Sequence, residues 1–155
     1  MRLTTPPASS LFLEDIVIGQ EWQTASHRVT AEDIAGFGRL TLDEHPLHKD
    51  EAYCRSRGFS AVIAHGLYGL ALMEGLKTGL RLYDESSIAS MGWDKVRFRQ
   101  AVLAGDELHL RFRFTAARPS RQPGRGLVTE FLELVNQDGA VVIEAEHVAL
   151  ILARG

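Results

Sequence analysis

GLYGLALMEGLKTGLRL, residues 66–82, is the stretch on which the fold turns. Leu67, Leu70, Ala71, Leu76 and Leu80 recur every three or four positions, with Glu74 and Lys77 between them, which predicts a helix over 66–82. Gly66, Gly69, Gly75 and Gly79 each lower helix propensity by roughly 1 kcal/mol relative to alanine. A helix so rich in glycine holds best where other elements pack close to its backbone, so it is expected at the centre of the fold. Beyond it the period changes from helix to strand. Leu108, Leu110, Phe112 and Phe114 alternate with Glu107, His109, Arg111 and Arg113, and Val96 and Phe98 alternate with Lys95, Arg97 and Arg99. Val141, Ile143, Ala145, Ala149 and Ile151 mark one face of a last strand, with Val148, Leu150 and Leu152 on the other. Asp138-Gly139 signals a hairpin turn, and 117–126, with Pro119, Pro123 and Gly124, reads as a long hairpin loop.

Upstream of the central helix the signals are shorter. A strand is expected over Glu21 to Val29. Thr30 with Asp33 three positions on starts a helix carrying Ile34, Phe37, Leu40 and Thr41, which stops near Asp43 because Pro46 follows. A second short helix fits 49–57. The order is a strand, two helices, one long helix and then four strands in meander: an α+β domain with an antiparallel sheet and one dominant helix.

At 155 residues the chain suits one domain, taken as 11–155 behind a flexible leader, 1–10, that holds Thr4, Thr5, Pro6, Pro7, Ser9 and Ser10. A formal net charge of -3 gives no pull toward nucleic acid or an anionic membrane. Cys54 is the single cysteine, so no intrachain disulfide forms, and no apolar run reaches the ~18 residues that cross a bilayer. A cytoplasmic, soluble protein is the expectation.

The densest chemistry lies in Asp43-Glu44-His45-Pro46-Leu47-His48, two carboxylates and two imidazoles on a segment pinned by proline. A carboxylate and a histidine facing one water can supply both a base and an acid, and Asp43 with His48 is the pair chosen. A solvated surface loop is the plainer account of the same residues. Further on, Ile63-Ala64-His65-Gly66 opens the long helix, where a glycine leaves free N–H groups and room for an oxyanion. His65 there is read first as a capping or packing residue. Tyr68 lines a pocket or joins the core, with the two readings equally good. His45, His48, His65 and Asp43 raise a zinc site, but the H-x-x-H spacing spans a proline and is not the helical metalloprotease arrangement, so no metal is expected. Arg118, Arg121 and Arg125 are read as solvated loop charge rather than phosphate ligands, and Trp22 and Trp93 as packing residues.

Three segments in order resemble the MaoC-like (R)-specific hydratases. Residues 37–52, FGRLTLDEHPLHKDEA, are similar to that family's motif, in which an Asp is followed five positions later by a His after Pro-Leu. Ile63-Ala64-His65-Gly66 resembles its I-x-H-G segment. Val96-Arg97-Phe98 through Val102 and Gly105-Asp106-Glu107-Leu108 resemble its "V-x-F-x-x-P-V-x-x-G-D-x-L" strand pair. The resemblance runs from about Phe12 to Leu152. It implies a hot-dog fold, an antiparallel sheet wrapped around one long central helix, and reversible addition of water to a 2-enoyl-CoA thioester. It further implies that Asp43 and His48 activate the water and the Gly66 amide polarises the thioester carbonyl, with His45, His65 and Tyr68 as candidates for substrate contact. Coenzyme A is then part of the substrate and no separate cofactor is called for. A homodimer or higher homo-oligomer is implied as well, with the CoA arm between partners.

Two positions depart from the family's pattern. Leu42 stands where a glycine commonly precedes the Asp, and His45 where an asparagine commonly follows it by two. They bear on the turn that presents Asp43 and on the acyl group served. They also keep open two other readings: a hot-dog thioesterase, which would release free thiol, and a non-catalytic domain that binds acyl-CoA or acyl carrier protein.

Overall fold

The computed structural model describes residues 5–155; the leader expected over 1–10 therefore lies partly, at 1–4, outside the described residues. The elements are β1 (Glu21–Gln23), β2 (His27–Arg28), α1 (Ala31–Thr41), α2 (Glu51–Ser56), α3 (Gly66–Thr78), β3 (Ser87–Phe98), β4 (Glu107–Pro119), β5 (Arg125–Val135) and β6 (Val141–Leu152). All strand pairs are antiparallel, and the sheet runs β1-β4-β5-β6-β3, with β2 also on β4. The sheet wraps α3, the hot-dog arrangement that the resemblance implies.

Local chemistry places the elements largely where the sequence does. Thr30 and Asp33 exchange side-chain-to-backbone bonds at the start of α1, Asp33 N–H to Thr30 Oγ1 and Thr30 N–H to Asp33 Oδ2, each 3.0 Å. Leu108, Leu110, Phe112 and Phe114 all bury their side chains. Gly139 takes φ +77° in the turn between β5 and β6, with the Asn136 side chain accepting from Asp138 N–H and Ala140 N–H.

Four expectations are corrected. The stretch 21–29 is two short strands, because Thr24 between them uses its hydroxyl as well as its N–H on Leu110 of β4. The loop expected over 117–126 is shorter, since Arg118 pairs with Leu127 and Pro119 with Gly126 before the chain turns. The last four strands are not a meander: β4, β5 and β6 are, but β3 pairs with β6. Tight hairpins force neighbours, whereas the link 99–106 is long enough to carry the chain across the end of the sheet.

The fourth correction concerns α3. Its buried line is Gly69, Met73 and Lys77, while Leu67 is 66% exposed. Gly69 has no room for a Cβ, which would collide with Ile143 Cδ1, so the helix lies directly on the sheet. Lys77, read from sequence as a polar interruption, is buried with Glu130 of β5 and His147 of β6. Lys77 Nζ donates to Glu130 Oε2 at 2.6 Å, His147 Nδ1 lies 2.9 Å from the same oxygen, and Tyr83 donates to Glu130 Oε1 at 2.8 Å. Ser90 Oγ completes the network at 2.7 Å from His147 Nε2. No helix among the described residues is long and apolar enough to cross a membrane.

Candidate active site

Two helix ends make the site. At the end of α1, Leu42 adopts a left-handed conformation (φ +68°) and turns the chain out of the helix, so that Asp43 leads into the Pro46–His48 turn. Left-handed backbone is where glycine is at ease, and a leucine there costs about 1–2 kcal/mol. The turn is thus the one a glycine would make, formed at some strain. His45 caps the next turn: its Nδ1 accepts from Leu47 N–H at 3.2 Å, as an asparagine side chain would. Pro46 at the first position of that turn fixes its φ.

His48 is half-buried and committed on one side. Its Nδ1 lies 2.7 Å from the Ile63 carbonyl oxygen, which can only accept, so Nδ1 carries the proton. In the neutral ring Nε2 is then a bare lone pair. Burial pushes the His48 pKa below its ordinary value. The bond to Ile63 and the Asp43 carboxylate oppose this, and His65 and His45 add to it. His48 therefore rests as a neutral base at physiological pH.

His65, the residue before α3, is buried and does not cap its own helix. Its Nε2 lies 2.7 Å from the Asp43 main-chain carbonyl, and its ring stacks on His48 with centroids 3.6 Å apart and planes 21° apart. Asp43, His48 and His65 each bring a polar side-chain atom to within 4.8 Å of the others. That proximity alone would suit a cation. The stack argues against one, because in-plane lone pairs of two rings stacked 3.6 Å apart lie in separate, nearly parallel planes, whereas two ligands of a tetrahedral metal must aim at a common point.

Gly66, the first residue of α3, has the Phe98 ring where a side chain would go; a Cβ would lie 2.6 Å from Phe98 Cε1. Its amide belongs to the first turn, whose N–H groups have no partner within the helix and carry the positive end of the dipole. In front of it a pocket of about 300 Å³ is lined by His48, Ile63, His65, Gly66, Phe98, Val102 and Ile143, among others. A second pocket of about 180 Å³ meets the other side of His48, among Ile34, Gly38, Arg39, Asp43 and Lys49.

Of the six residues picked from sequence, Asp43, His48, His65 and Gly66 thus come together, although Asp43 and Gly66 are 23 positions apart in the chain. His45 stays exposed, its ring 6.4 Å from that of His48 and 5.8 Å from Tyr53. Tyr68 lies outside the apolar pocket, edge-on to Phe37 at 5.7 Å, and burial raises its pKa to about 12. The pocket walls Phe98, Val102 and Ile143 and the Ile63 carbonyl were not singled out as site residues, although Ile63, Phe98 and Val102 stand in the motif segments and Ile143 in a strand period.

Comparison with known proteins follows the same outline. A model of the MaoC like domain matches residues 15–136. An (R)-specific enoyl-CoA hydratase from Aeromonas caviae is 30% identical over 87% of this chain and 95% of its own length. A MaoC-like dehydratase from Rhodospirillum rubrum superposes with a TM-score of 0.83 at 30% identity, covering 94% of this chain and 99% of that one. A monoamine oxidase regulatory protein from Archaeoglobus fulgius does so with a TM-score of 0.86 at 30% identity, covering 94% and 97%.

Proposed function

The chain belongs to the MaoC-like domain family, and on that premise we propose that it is a hydratase and dehydratase of 2-enoyl-CoA thioesters. The observation that carries this reading is the place of His48, with its bare nitrogen, between Asp43 on one side and the apolar pocket lined by the first residue of α3 on the other. A water held between the Asp43 carboxylate and His48 Nε2 loses a proton to Nε2 as its oxygen bonds to C3 of the substrate. Electron density moves from the C2–C3 double bond to the thioester oxygen, where the Gly66 N–H and the helix dipole hold the developing charge. The proton then passes from His48 to C2, giving the 3-hydroxyacyl thioester, and dehydration is the reverse. Asp43 orients the water and stabilises the imidazolium. The apolar walls, Ile63, Phe98, Val102 and Ile143, keep bulk water off the enolate.

The test is loss of enoyl-thioester absorbance when the protein meets a panel of short, long, branched and acidic 2-enoyl-CoAs. Turnover is expected with at least one of them and is expected to fall by about a thousandfold or more in Asp43→Asn, which leaves the shape but removes the charge. Free thiol appearing without hydration would mark a thioesterase instead, and binding with neither product would mark an acyl-CoA-binding domain.

A further inference from the structure

His65 does nothing in that scheme, yet it is the most constrained of the polar side chains at the site. We propose that His65 is a positioning residue, a neutral Nε2–H clamp that fixes the Asp43 turn by a hydrogen bond and the His48 ring by a stack. This rests on the hydratase reading only for its kinetic consequence.

The protonation state follows from the partners. The Asp43 main-chain oxygen accepts and cannot donate, so the 2.7 Å contact requires the proton on Nε2. The other nitrogen, Nδ1, is buried without a partner among the described residues. A proton there would be a buried unsatisfied donor, costing about 1–3 kcal/mol, whereas a lone pair on a neutral ring costs less. Both observations select one tautomer. In it the ring ties together parts of the chain that no regular element joins: Asp43 beyond α1, His48 in the 3-10 turn, and the N-terminus of α3, whose Gly66 amide follows His65 directly. Phe37 closes the arrangement edge-on at 5.0 Å.

Gly38 of α1 shows how tightly the clamp is built. A Cβ there would stand 2.9 Å from the Asp43 carbonyl oxygen and 3.5 Å from His65 Cε1 and Nε2. The obstruction on one side is backbone, which cannot rotate away. Alanine at this position favours the helix but must push the Asp43 carbonyl from His65. Gly38→Ala therefore separates the clamp from helix stability while leaving His65 itself in place.

Two measurements test the clamp. The first is proton NMR of the wild type with 15N-labelled histidine, independent of turnover. It is expected to show a slowly exchanging, hydrogen-bonded ring N–H on Nε2 of His65, and Gly38→Ala is expected to lose that signal. The second is steady-state kinetics with the best substrate of the enoyl-CoA panel. His65→Phe keeps a flat ring and loses the donor; it and Gly38→Ala are expected to lower kcat by about 10–100-fold with KM within about threefold. His65→Gln restores a donor toward the Asp43 carbonyl and is expected to regain most of the loss. Absence of the protected N–H overturns the proposal, as do a kcat in His65→Phe within about twofold of wild type or a His65→Gln no better than His65→Phe. Should His65→Phe fail to fold, Gly38→Ala carries the kinetic arm alone, and wild-type kcat in it overturns the clamp. A protein that turns over no enoyl-CoA would refute the proposed function and leave the N–H signal to decide the clamp.

Discussion

The bond from His48 Nδ1 to the Ile63 carbonyl assigns the proton before any substrate arrives, and burial keeps the ring neutral. Because the base must be neutral and its pKa is lowered from 6.5, hydration is expected to keep more than half of its full rate at that pH. It should then fall as the pH drops further through the depressed midpoint. Initial rates across the acid range check this, and an acid limb centred above 6.5 would count against His48 as the base. Leu42 carries the second residue-scale prediction. With φ +68° and 86% of its surface exposed, it loses no packing when shortened. Leu42→Gly is expected to stabilise the protein by about 0.5–1 kcal/mol, the relief of left-handed strain less the added entropy of glycine in the unfolded chain. Equilibrium denaturation measures it. The candidate site was largely legible at this scale. Asp, His and Gly types at those spacings stood out, but nothing in the sequence told which nitrogen of either ring is protonated, because each partner is a distant backbone carbonyl.

At the scale of the element, α3 is where sequence reading and structure part. Its leucines announced a helix correctly, but with apolar residues on most sides the period could not pick the inward line. Gly69 and Lys77 lie on that line for reasons lodged in other strands: Ile143 fills the space over Gly69, and Glu130 and His147 receive Lys77. Burial alone would raise the Glu130 carboxyl. The His147 hydrogen bond and the Lys77 ammonium outweigh it and hold the group below its usual value, so its stabilising effect is present at neutral pH and is lost as pH falls through that depressed value. Lys77→Met is expected to destabilise the protein by about 3–5 kcal/mol, because it leaves the Glu130 charge buried without its ammonium. Adding Glu130→Gln to it should recover part of that loss, and thermal or denaturant unfolding of both variants checks the pair. Ser90, His147 and Glu130 stand in the order of a nucleophile, base and carboxylate. The Lys77 ammonium, 2.6 Å from Glu130 Oε2, occupies the same carboxylate, and the pocket beside the network is lined by Glu74, Lys77 and Tyr83 rather than Ser90, which suits a strut between helix and sheet.

At the largest scale, β3 ends the sheet on one side: among the described residues its twelve positions pair with β6 alone, and Ile88, Met91 and Phe98 are exposed. A long edge with apolar side chains invites another strand. Pairing of two copies of this chain along that edge is therefore the expected outcome in light scattering, with Met91→Lys shifting the population toward monomer. Phe98 joins this edge to the Gly66 pocket, so dissociation is expected to impair turnover as well. Legible in the residues alone were the α+β class, the central helix, the alternation of the long strands and the choice of Asp43, His48 and Gly66 as candidate site residues. Each is written in local periodicity or in a short motif whose residues carry their own chemistry. It took the folded chain to set β3 beside β6, to bury Lys77 and to bring His65 back to the Asp43 carbonyl. Those outcomes depend on which surfaces meet once the chain has closed, and spacing along the sequence holds no record of distance through space.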